Sequence, residues 1–214
     1  MNPPRDDAAP PSDEQLLAEF LAGNEAAFAS LVERHHVEIF QFAARFVGAG
    51  AAAEDIVQES FLQVYQSAAG FDATRKFRPW LFTIAANKAR DALRGRSRRR
   101  EVSISPAARG GEEGDVSYLD FLADDSPPPG AALEAAEQQR LVREVIERMP
   151  PSLREVLLMA YYHRLSYKDI AETLGIPLGT VKSRLHAAVS CFARAYKSIE
   201  ERHRREPGGR RGST

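Results

Sequence analysis

Between Leu165 and Ala188 the chain reads LSYKDIAETLGIPLGTVKSRLHAA, and its second half crowds five hydrogen-bond donors together: Thr180, Lys182, Ser183, Arg184 and His186. Cations and hydroxyls at that density suit phosphate oxygens and base edges in a DNA major groove. A second grouping runs from Phe71 to Arg94 and holds Phe71, Phe77 and Trp80 among Asp72, Thr74, Arg75, Lys76, Asn87, Lys88, Arg90, Asp91 and Arg94. Aromatic rings on which unpaired bases stack contribute about 1–3 kcal/mol per base, and neighbouring cations track the backbone. Phe77 and Trp80 are equally of a type that fills a core. A third grouping, Glu54, Asp55, Gln58 and Glu59, has spacings of one, three and four, which puts an acidic patch on adjoining faces of one helix. Such a patch is either a solvated face or a docking surface for basic groups.

Other chemistries lack their residues. His35 and His36 are adjacent, so on a helix they point to different faces, and no carboxylate or cysteine repeats at ligand spacing beside them. Cys191 is the sole cysteine, so no disulfide forms within the chain; beside Val189 and Phe192 it reads as a small core residue. With no glycine-rich phosphate loop, nucleophile elbow or catalytic carboxylate pair, the expectation is a protein that is not an enzyme and needs no metal or cofactor. The N-terminus lacks a signal-peptide pattern, and no apolar run approaches the roughly 18 residues of a membrane span, so a cytoplasmic protein is expected.

The elements that must position these groups are helical throughout. The chain has 214 residues, 43% of them hydrophobic, and a net charge of -1. That balance hides a division. Lys and Arg number 12 against 11 Asp and Glu over residues 13–100, 1 against 7 over 101–132, and 13 against 9 over 133–205. Residues 1–12, rich in Pro, Ala and Asp, read as a disordered lead. Ser12 with Gln15 forms the pattern of a capping box, and a second start at Asn24 opens an apolar stripe ending at Gly48. A third helix spans about 52–68, with Ile56, Val57, Phe61, Val64 and Tyr65 inward. Pro79 sits in the first turn of a fourth helix that ends in the arginine run Arg94 to Arg100.

Residues 101–132, with three consecutive prolines at 127–129, read as a flexible acidic linker, and 201–214 as a flexible basic tail. From Leu133 a helix runs to Met149, and Ser152 with Glu155 caps the next, which reaches His163. Ser166 with Asp169 caps a short helix to Leu174, and a last helix covers about 178–198. The expected fold is all-α: two small helical domains, 13–100 and 133–200, joined by the linker. The short helix, the break at Gly175 and the helix carrying Val181 and Leu185 on one face have the pattern of a helix-turn-helix.

At this point the residues go beyond a generic motif. Ile176-Pro177-Leu178-Gly179-Thr180-Val181-Lys182-Ser183-Arg184-Leu185 closely resembles the region-four recognition helix of extracytoplasmic-function (ECF) sigma factors of the sigma-70 family. Ala53-Glu54-Asp55-Ile56-Val57-Gln58-Glu59-Ser60-Phe61 resembles their region two, and Pro79 to Asn87 with Asp91 and Arg94 looks like the helix at the upstream edge of promoter melting. The resemblance implies a transcription initiation factor that binds core RNA polymerase at the β′ clamp and β flap. Core binding would fall to Glu54, Asp55, Gln58, Glu59 and Phe61. Recognition and melting of the −10 element would fall to the 71–94 grouping, with an unstacked base held by the loop Gly70 to Arg78. The −35 element would be read by Thr180, Lys182, Ser183, Arg184 and His186.

The resemblance also implies an anti-sigma partner, and a linker whose Asp115, Asp120, Asp124 and Asp125 lie in a basic channel of the polymerase. The competing reading from the residues is a dimeric helix-turn-helix regulator that binds a palindrome unaided.

Overall fold

The computed structural model describes residues 10–102 and 131–205, and every regular element among them is a helix. The lead and linker expectations lie largely outside these residues, as do Asp115, Asp120, Asp124 and Asp125. Helices α1 (Asp13–Leu21), α2 (Glu25–Val47) and α3 (Ala51–Ser67) are followed by a 3-10 turn, Ala68–Gly70, and by α4 (Phe77–Val102). The second half holds α5 (Ala131–Arg148), α6 (Pro151–Leu157) running into a π turn at Leu158–Tyr162, α7 (Tyr167–Leu174) and α8 (Leu178–Arg205). Residues 201–205, expected in the tail, continue α8.

Local signals explain most boundaries. Ser12 N–H donates to Gln15 Oε1 at 2.7 Å and Gln15 N–H to Ser12 Oγ at 3.2 Å, so both halves of the capping box are made. Ser166 Oγ accepts from Asp169 N–H at 3.1 Å at the start of α7, and Gly175 closes that helix at φ 63°, ψ 36°. That left-handed geometry favours glycine. The Ser152–Glu155 box does not form. Pro150 is the N-cap and Pro151 the first helical residue, which brings no N–H to satisfy, while Glu155 is 3% exposed and turned inward.

In the first half, Leu17, Leu31, Ile39, Phe42, Phe46, Val64 and Phe82 are buried. Tyr65 departs from the inward face expected of it. It is half exposed, with its ring 5.1 Å from Phe20 and 5.3 Å from Phe28. The hydroxyl explains this, since a phenol stays wet at one end while its ring packs.

The two helical halves are packed on each other, and most of their buried residues join into one hydrophobic cluster from Leu16 to Ala188, with Leu141, Val145 and Ile199 in a smaller second one. Arg154 of α6, 7% exposed, donates to the carbonyl of Phe46 at the end of α2 as well as to Glu147 and Met149 carbonyls. Arg96 donates to the Val47 carbonyl. The last carbonyls of α2, which no helical N–H can reach, are thereby satisfied from both halves. His163 lies against Phe82 and Phe42 at 5.0 and 5.8 Å.

Candidate nucleic-acid interface

Helix α8 buries Val181, Leu185 and Ala188, which fall on one face and fix the roll of the helix. Lys182, Ser183 and His186 therefore face out, with Thr180 and Arg184 half-buried at the margins. Ser183 Oγ donates to the Thr180 carbonyl at 3.1 Å. Arg184 Nη1 lies 3.8 Å from Glu155 Oε1. Glu155 is shared: Arg90 Nε of α4 stands 3.7 Å from its Oε2. Burial pushes its carboxyl above the usual range, and the two arginines only partly oppose that.

The 71–94 grouping is assembled around a turn. Asp72 Oδ1 accepts from Thr74 N–H at 2.9 Å and from Thr74 Oγ1 at 2.7 Å, and the Asp72 carbonyl accepts from Arg75 N–H. These bonds hold the Asp72 carboxyl below its ordinary value and fix the loop that presents Arg75 and Lys76. Phe71 and Trp80, both half-buried, lie 4.7 Å apart.

Phe77 corrects the sequence reading. It is fully buried, 5.9 Å from Trp80 and 6.4 Å from Phe71, and cannot offer a face to a base without leaving the core. At the first position of α4 its ring points into the bundle and backs the other two. Along α4, Asn87 Oδ1 accepts from Arg90 at 2.7 Å and Arg94 pairs with Asp91. Lys88 Nζ lies 3.3 Å from Glu59.

On α3, Glu54, Asp55, Gln58 and Glu59 are exposed together, as their spacing requires. Phe61 is not with them; at 6% exposure it is a core residue, because it falls on the stripe of Val57 and Val64. Leu62, 56% exposed, was missed. Its place four residues after Gln58 was the available signal, and its apolar character pointed to the core instead.

Beneath the loop, Glu38 accepts from Arg78 Nε at 3.0 Å and stands 3.6 Å from His35 Nδ1 and 3.4 Å from His163 Nδ1. Burial opposes its charge, yet the bonds from His163, His35 and Arg78 outweigh it and hold the carboxyl far below its ordinary value.

A helix-turn-helix with an outward donor face, joined to a helical bundle bearing a cationic and aromatic loop, has the build of a DNA-binding transcription factor. The family model "Sigma-70 region 2" matches residues 31–99, and "Sigma-70, region 4" matches 139–191. The chain is 35% identical to the ECF RNA polymerase sigma factor SigW of Bacillus subtilis over 77% of its own length and 86% of that protein's. It is 31% identical to the RNA polymerase sigma-H factor of Pseudomonas aeruginosa over 87% and 95%. Among solved structures, CnrH in complex with the cytosolic domain of CnrY matches with a TM-score of 0.62 at 26% identity, covering 88% of this chain and 99% of that one. The chain belongs to the ECF sigma factors of the sigma-70 family, which direct RNA polymerase to promoters. The dimeric-regulator reading has no support beside these matches.

Proposed function

We propose a division of labour along the chain. Residues 13–100 dock on core polymerase and capture the −10 strand, and residues 133–200 read the −35 element. The observation that carries the second part is the roll of α8: burial of Val181, Leu185 and Ala188 leaves Lys182, Ser183 and His186 to the solvent, with Thr180 and Arg184 flanking them. In the first part, Phe71 and Trp80 are the stacking platform, Phe77 its support, and Arg75 and Lys76 the phosphate contacts. Asn87, Lys88, Arg90, Asp91 and Arg94 follow along α4 toward duplex DNA. Glu54, Asp55, Gln58 and Glu59, with Leu62 added, form the polymerase-docking face; their charge favours orientation and rapid association with a basic surface.

The protein works by binding alone, without catalytic groups of its own, in the cytoplasm. An anti-sigma partner completes the proposal. Supporting it is the relative CnrH, which is solved in complex with the cytosolic domain of another protein, CnrY.

The test is promoter binding by the holoenzyme. Lys182→Ala and Arg184→Ala should each weaken binding to a cognate promoter by about 1–3 kcal/mol while relaxing preference at single −35 positions. A loss equal on promoter and random DNA would refute base reading by α8.

A further inference from the structure

Arg184 stands at the margin of the outward face of α8, and its polar contact among the described residues is with Glu155 of α6, Nη1 lying 3.8 Å from Oε1. Glu155 is buried in a helix that packs along α8. Its Oε2 has no hydrogen-bond partner, and burial pushes its carboxyl up. A carboxylate held in this way costs the fold stability, and an apolar side chain of similar size would serve the core better. What the carboxylate supplies is a fixed negative charge behind one arginine of the reading face.

Arg90 of α4 shares that charge at 3.7 Å, but its direction is set within its own helix: Nε donates to the Ala86 carbonyl at 3.2 Å and Nη2 to Asn87 Oδ1 at 2.7 Å. Arg184 has no such second anchor among the described residues. Lys182 and His186, its neighbours on the face, are exposed and pair with no carboxylate among those residues, so of the three Arg184 alone is held. A long side chain that must stop moving on binding loses affinity, and one already held in place loses less. The guanidinium is a planar fork of N–H donors, and one carboxylate occupies only an edge of it. The remaining donors are free to span O6 and N7 of a guanine, the pairing arginine makes most often in the major groove.

We propose that Glu155 is the positioning residue for Arg184 and thereby a determinant of −35 specificity: the buried carboxylate aims the guanidinium at one base pair, where it selects guanine. Glu155 itself does not touch DNA. The inference deepens the reading of the −35 element by α8 and rests on it.

The experiment uses holoenzyme assembled from core polymerase and the full chain, on a genomic promoter selected by that holoenzyme, with each −35 base pair changed in turn to the other three. Competition binding gives the preference at each position. The parent should prefer guanine at one position by about tenfold or more, and Arg184→Ala should reduce that preference to about twofold or less. Glu155→Gln keeps the size of the side chain and removes its charge. It should reduce the same preference to about threefold or less and leave the other positions unchanged. In the Arg184→Ala background it should cause no further loss, because both changes remove one interaction. Glu155→Asp, which draws the charge one methylene back, should fall between the parent and Glu155→Gln.

A Glu155→Gln protein that loses preference equally at every position, or loses more in the Arg184→Ala background, has lost packing and overturns the inference. Loss of the guanine preference in Arg184→Ala but not in Glu155→Gln overturns positioning and leaves the reading by Arg184 standing. Unchanged preferences in Arg184→Ala overturn that reading and the inference with it. If circular dichroism shows Glu155→Gln to be unfolded, Glu155→Asp carries the test, and an undiminished guanine preference in it overturns the inference.

Discussion

At the scale of single residues, the molecule spends unusual care on a few buried charges. Asp13 opens α1, with Oδ2 2.8 Å from His35 Nε2 and Oδ1 2.6 Å from Arg34. Burial opposes charge on both members, but their mutual hydrogen bond, joined for His35 by that to Glu38, wins. Asp13 is held below its ordinary value and His35 above. For the raised histidine, the stabilisation is fully present below its unfolded value of 6.5 and is lost as pH rises through the higher folded value. For the lowered aspartate it is present above 3.8 and lost as pH falls through the lower folded value. Both contribute between those limits. Asp13→Asn should therefore cost about 1–3 kcal/mol in urea denaturation near pH 5.5 and distinctly less at pH 9; an equal cost at both would mean that the pair is not charged. Glu155 has the opposite sign. Its raised carboxyl costs stability at neutral pH and regains it as the acid protonates on acidification, so the parent should gain on Glu155→Gln between pH 7 and 5.

At the scale of elements, stops and caps decide what can be read and what cannot. Gly175 at φ 63° has nothing within 4 Å of the position a Cβ would take, so Gly175→Ala meets only conformational strain. It should lower stability by about 1 kcal/mol in thermal or urea unfolding and leave the fold intact. A loss several times larger would show that the turn is sterically crowded. The helix-turn-helix was legible because its signals are local: the Ser166 cap, the turn glycine, and an apolar face on α8. The burial of Phe61 followed from its apolar stripe, but the role of Phe77 was not legible, because an aromatic residue near a binding surface has the same sequence signature whether it presents its ring or supports another. Nor was Leu62, an exposed apolar residue that only its helical phase with Gln58 connects to the acidic patch. Leu62→Asp should weaken binding to core polymerase by tenfold or more in a pull-down titration, with little change in melting temperature; unchanged binding would remove it from the docking face. The Ser152–Glu155 pattern misled because it ignores what a partner distant in sequence, such as Arg90, asks of the buried glutamate.

At the scale of the whole molecule, periodicity announces that a helix has a buried face but not what covers it. Two helical domains could be counted from the linker, whereas the packing of α4 against α7, with Thr173 on Pro79, and of α6 against α2, with Arg154 on Phe46, depends on contacts 94 and 108 residues apart in sequence. The result is a molecule whose two halves share one buried core, with Arg90 of α4 and Arg184 of α8 both reaching Glu155. Promoter reading by this protein is tested most directly by transcription in vitro. Purified core polymerase given this protein and a library of genomic fragments should produce run-off transcripts from discrete promoters, absent without the protein and reduced about tenfold or more by Lys182→Ala combined with Arg184→Ala. Promoter-specific transcription untouched by that pair, or no transcript on any template, would contradict it.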